Sequence, residues 1–179
     1  MSEILKKTVE RLPEILNKNA KSMMQRIVEA TLDAIVNDPQ LGASAYCSLV
    51  LKASSNDLVT GFVLALEKST RAIQEASGKP GTLAFGLGLS IEPLDPAAAR
   101  SDADFLNSNS RFEMLLAKVR GLGIEGLSPY SKEIFLAAFD DAFTISRIEP
   151  SEGGKIMPLA RRALDRELVR LYEKLDSLV

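Results

Sequence analysis

Apolar residues in this chain recur every three or four positions, the period of a helix with one side turned to a core. The rhythm is strongest near the end, where Met157, Ala160, Leu164, Leu168, Leu171, Leu175 and Leu178 follow one another in steps of three and four. Ahead of it, Ser128-Pro129 offers a cap and a first-turn proline, and Ile134, Phe135, Ala138, Phe139, Ala142 and Phe143 make a bulky helical face. Glu149-Pro150-Ser151, with Gly153 and Gly154 close behind, predicts a break between the two patterns. Two apolar faces joined by a short loop are expected to bury each other as a helical hairpin.

The earlier part of the chain repeats this grammar. Residues 2–12 are amphipathic through Ile4, Leu5, Val9 and Leu12, and Pro13 marks a kink or a fresh start. From Glu14 a helical pattern runs through Met23, Met24, Ile27 and Ile35 to a stop at Asn37-Asp38-Pro39. Ala43 to Leu51 is a compact apolar piece, read as a short helix although its length also permits a buried strand. The cluster Ser54-Ser55-Asn56-Asp57 then predicts a cap for a separate helix over 57–76, with Gly61 as a local weakness. Gly78-Lys79-Pro80-Gly81, Pro93 and Pro96 predict an extended Gly/Pro-rich crossing over residues 78–96 that links two helical halves. Asp95-Pro96 reads as the start of a helix broken near Asn107-Ser108-Asn109, followed by another over Arg111 to Leu122. The expectation is one all-α domain spanning 1–179, a helical bundle of about six to seven helices with residues 1–13 as an N-terminal arm.

Composition narrows the setting. With 46% apolar residues, 26% charged residues and a net charge of −2, the chain lies far from the disordered class. It has no whole-molecule attraction to a phosphate backbone, so a nucleic-acid partner is not expected. The single cysteine, Cys47, cannot close an intramolecular disulfide, which suits a reducing compartment. The N-terminus is charged throughout, and no run of roughly 18 consecutive apolar residues offers a membrane span. A cytoplasmic protein is the expectation.

Candidate chemistry is sparse. The chain has no histidine, which removes the commonest general base, the commonest metal ligand and every imidazole-dependent triad. Cys47 lies in Ala-Tyr-Cys-Ser-Leu-Val with no adjacent cation and reads as a core thiol. Gly86-Leu87-Gly88 lacks the third glycine of a dinucleotide fingerprint, and Gly78 to Thr82 lacks the order of a phosphate loop. Asp140 and Asp141 point about 100° apart on a helix, and Asp102 and Asp104 have no second pair to complete an oxygen cage. No catalytic residue, cofactor or metal ion is assigned. One surface feature stands out: Arg162, Arg166, Arg170 and Lys174 repeat every four residues. They form either a solvated face, partly neutralised by Glu167 and Glu173 beside Arg170, or a docking site for an acidic protein partner. No aromatic residues interleave with them to stack bases.

The segment order "LGLSIEPLD", "GLSPYSKEIFLAAFDDAF" and "LVRLYEKLDSLV" resembles a stretch of the large bacterial family catalogued as domain of unknown function 1631. The likeness covers mainly residues 83–179. It implies a bacterial helical protein and supplies no catalytic residue. Longer members carry a barrel domain tied to cyclic dinucleotides, whose motif begins Arg-x-x-x-Arg. Arg162 to Arg166 has that spacing but lies in a helix, and the second half of the motif is missing, so that role is not carried over.

The sequence therefore favours a non-enzymatic bacterial or phage regulatory or adaptor protein acting through helix-mediated protein–protein interaction. Self-association through the 157–178 seam is one form of it, although such a row more often serves its own core. The alternative is a helical ligand-binding domain whose apolar pocket is lined by Met23, Met24 and the central crossing. An enzyme of unrecognised type comes third.

Overall fold

The computed structural model describes residues 11–39, 45–77, 103–123 and 130–179. Within them lie five α-helices and no strand: α1 (Leu12–Asn37), α2 (Ala45–Ser77), α3 (Ala103–Gly121), α4 (Lys132–Ile145) and α5 (Pro150–Asp176). The all-α class is therefore as expected, and so is the break before Pro150, while two predicted breaks, at Ser54–Asp57 and Asn107–Asn109, are absent. The crossing over 78–96, the arm up to residue 10 and the Ser128-Pro129 cap lie outside the described residues.

α1 begins with Pro13 in its first turn and ends as Asp38 turns extended ahead of Pro39, as a residue before proline prefers. α2 joins two pieces that were expected to be separate. Ser54 to Asp57 sit in mid-helix, where Ser55 Oγ donates to the Lys52 carbonyl at 2.9 Å instead of capping a new start. Leu51 and Leu58, on either side of that cluster, are both fully buried, and their packing overrides the weak local preference for a break. α3 runs unbroken through Asn107-Ser108-Asn109, with Ser108 buried and its hydroxyl on the Phe105 carbonyl. α5 starts at Pro150 and takes in Gly153, Gly154 and Pro158. With these two mergers and the early start of α5, five helices lie among the described residues.

The helices pair in the order α4, α2, α1, α5, α3: α2 lies along α1 and α4, and α5 lies along α1 and α3. The core runs through this series, with Met24 and Ile27 of α1, Leu58 and Phe62 of α2, Phe135 and Phe139 of α4 and Leu164 and Leu168 of α5 all essentially inaccessible. α2 meets α4 very closely. A Cβ placed on Gly61 would stand 3.3 Å from the Ala142 Cα, so the residue that looked like a weakness is what lets the two backbones approach. On the other side of the bundle, the Phe112 and Tyr172 rings pack at 5.2 Å between α3 and α5.

The expected α4–α5 hairpin takes a different form. The two helices are consecutive, but their backbones scarcely come within 8 Å of each other. The apolar face of α4 belongs to α2 and that of α5 to α1 and α3. Long side chains bridge the gap, Lys132 to Asp165 at one end and Arg161 to Asp140 nearer the turn. The 157–178 row is internal from Ala160 to Leu175, with Leu164, Leu168 and Leu175 at most 1% exposed, while Met157 is partly buried and Leu178 is 41% exposed.

By length and composition, Tyr46–Ala72 of α2 could also cross a bilayer, with a mean hydropathy of 1.4 over its best window. Here 39% of that window is buried within the bundle.

Candidate functional site

Within the cationic stripe, Arg166 and Arg170 make the contacts that follow. Arg166 Nε donates to Asp104 Oδ2 on α3 at 2.9 Å, and Arg170 Nη1 donates to Glu167 Oε1 at 2.6 Å. Glu167 is 5% exposed and also receives Arg26 Nε of α1 at 2.8 Å, so one carboxylate ties α1 to α5. Glu173 turns instead to Arg111, at 3.5 Å. Arg162 and Lys174 are exposed on the outer side of α5, and Lys174 in the last turn complements the helix dipole. The stripe thus serves partly as a clamp between helices.

Three polar clusters were not visible in the sequence. In the first, Lys132 is 1% exposed; its Nζ pairs with Asp165, donates to Ser108 Oγ at 3.0 Å and lies 3.3 Å from the centroid of the Phe105 ring. One ammonium therefore connects α3, α4 and α5. The signal that could have exposed it is Asp165, a charge set between Leu164 and Leu168 on the buried arc of α5. Next to this cluster the Tyr172 hydroxyl donates to the Tyr130 carbonyl at 3.0 Å, and burial raises the pKa of both phenols, that of Tyr130 to about 12.

The second cluster surrounds Cys47. The thiol is fully buried, in keeping with a core role, yet it donates to Glu152 Oε2 at 2.8 Å across the α2–α5 boundary. Lys155 Nζ holds the other oxygen at 3.1 Å. The Cys47 hydrogen bond, and after it that of Lys155, lowers the Glu152 pKa below its ordinary value. The cation missing from the neighbourhood of Cys47 in sequence is thus supplied from 108 positions away, at one remove through Glu152.

The third is the pair at the α4–α5 turn. Both oxygens of Asp140 accept from Arg161 Nη2 at 2.9 Å, while Asp141 is exposed. Arg161 Nε is buried and has no partner. Beside this pair a cleft of about 530 Å³ opens over Phe143, Ile148 and Met157, edged by Pro150, Gly153 and Gly154. It fills the space left by the wide α4–α5 separation.

The other candidates fall as follows. Met23 and Met24 are packed in the core and line no described cleft. Asp104 pairs with Arg166, whereas Asp102 and the two glycine motifs lie outside the described residues. Among the described residues no group of three or more acidic or thiol side chains is placed to hold a metal ion. Compared with known proteins, the chain matches no family, no curated protein and no solved structure.

Proposed function

We propose that the protein is a non-enzymatic regulatory or adaptor protein of bacterial or phage origin, acting by presenting a helical surface to a protein partner. The observation that carries this reading is the set of large apolar side chains left on the outer faces of the bundle. Val36, Leu49, Leu64 and Met114 are each more than half exposed, and Tyr46 and Ile145 stand out from the ends of α2 and α4. Apolar contact through such side chains is a usual means of protein recognition. Because the row from Ala160 to Leu175 is internal, a partner or a second copy would use one of these outer faces.

The cationic stripe remains a secondary candidate for an acidic partner. The alternative of a helical ligand-binding domain has lost Met23 and Met24 as lining, and an enzyme lacks a described constellation to build on.

Light scattering across a concentration series, combined with cross-linking of the full chain in cells, tests the reading. A stable self-complex or one reproducible protein partner is expected. A monomer at every concentration that cross-links to nothing would contradict it. Replacing Arg162, Arg166 and Arg170 together by alanine reports on the stripe: unchanged capture of that partner removes the docking role.

A further inference from the structure

The groove between α1 and α2 carries opposite charges on its two rims that nothing within one copy joins. Glu29 and Asp33 stand on the α1 rim and Lys52 on the α2 rim, and all three are exposed. None of their charged groups enters an ion pair or a side-chain hydrogen bond among the described residues. Elsewhere the bundle bridges such gaps: α5 is tied to α1 by Arg26–Glu167, to α3 by Arg166–Asp104 and to α4 by Arg161–Asp140. Two bare apolar side chains flank the same groove, Val36 at 68% exposure and Leu49, between the lining residues Ser48 and Lys52, at 62%. Only 39% of the apolar window in Tyr46–Ala72 is buried, so α2 keeps more apolar surface than its own bundle covers.

We propose that a second copy of this chain covers this face, in a symmetric dimer whose two-fold axis runs along the α1–α2 groove. Gln25 lines the groove with Asn56, and Val36 lines it with Ser48, so the two helices are antiparallel and each rim residue has a counterpart at its own height. Rotation about such an axis exchanges the rims and keeps every height, laying α1 of one copy antiparallel on α2 of the other. Glu29 and Asp33 then meet the partner's Lys52, Gln25 meets the partner's Asn56, and Val36 meets the partner's Leu49, each contact being made twice. An axis across the groove instead sets acidic rim on acidic rim, and like charges at an interface disfavour it. The apolar side chains supply the buried contact, and the exposed charges fix the register. The inference rests on the interaction reading and narrows it to a second copy on one face.

The test is charge reversal in the full chain, read by sedimentation velocity and native mass spectrometry. The wild type is expected to dimerise. Lys52→Glu and Glu29→Lys each bring like charges together twice and should raise the dimer dissociation constant roughly tenfold or more. Both positions are exposed, so each variant should keep the wild-type helicity by circular dichroism. The two variants are then mixed, one of them ¹⁵N-labelled so that mixed pairs are weighed apart from like pairs. They should form a heterodimer at least about fivefold tighter than either like pair, because both of its reversed contacts are again between opposite charges. A wild type that stays monomeric at its highest soluble concentration, a dimer that neither reversal weakens, or variants that mix no better than they self-pair would each overturn the inference. The interaction reading fails separately, when a monomeric chain also cross-links to nothing in cells.

Discussion

The two sides of α4 meet their neighbours in opposite ways. Toward α2 the contact is tight and apolar, with Gly61 set against Ala142 and Phe135 and Phe139 fully buried. Toward α5 the backbones stand apart, and the space is crossed by Lys132–Asp165 and Arg161–Asp140. A contact made by small and apolar residues closes completely, because dispersion and burial both reward the shortest distance. A contact made by long charged side chains has a built-in reach, and what it does not fill remains as a cleft. The first kind of contact fixes the bundle, and the second leaves room for something else.

The largest effect is expected where the bridging charge is buried. Lys132→Met strands Asp165 in a site 5% exposed and should cost about 3–5 kcal/mol in urea unfolding, the usual range for removing one partner of a buried pair. The double change Lys132→Met with Asp165→Leu should recover most of that loss. If the single and double variants were equally unstable, the ammonium would not be the link between α3, α4 and α5.

The next effect appears on the acid side. Glu152 has its pKa lowered by Cys47 and then Lys155, so its contribution to stability is complete above the ordinary carboxyl value of 4.5 and fades as the pH falls through the lowered one. Glu152→Gln should therefore melt below the wild type at pH 6, with the gap shrinking as the pH drops below 4.5. A gap that does not change between those pH values would show that the carboxylate charge plays no part.

The smallest effects belong to the exposed rim. Lys118→Gln breaks a pair with Asp176 in which both side chains are about half exposed. A change under about 0.5 kcal/mol, further reduced by salt, is expected from denaturant unfolding. A larger loss would mean that the surface pairs carry the α3–α5 contact, in place of Phe112 and Tyr172.

Much of the tight side was legible in the sequence. The six residues of the α4 face named from periodicity, Ile134 to Phe143, are all buried, and the α5 row from Ala160 to Leu175 is buried as well. Burial follows helical spacing, so the pattern carries it directly. Element ends were less legible. Ser54 to Asp57, Asn107 to Asn109 and Gly153-Gly154 each favour a break by tenths of a kcal/mol to about 1 kcal/mol per residue, less than the packing of the apolar residues around them. Polar partnerships between helices were hidden for another reason. Arg26 and Glu167 are 141 positions apart, and Cys47 and Glu152 are 105 apart. No local spacing encodes pairs that only the finished bundle brings together. Gly61 was read as a weakness and Gly154 as part of a break. Their difference exists only in what stands opposite each of them.

That difference supplies the most direct measurement: the same substitution, glycine to leucine, at Gly61 and at Gly154, each followed by urea unfolding. The account predicts opposite signs. Gly61→Leu, forced against the Ala142 backbone, should lose about 1–3 kcal/mol, and Gly154→Leu, entering open space in a helix, should gain up to about 1 kcal/mol. A loss of similar size at both positions would contradict it, because the side of α4 facing α5 would then be as closed as the side facing α2.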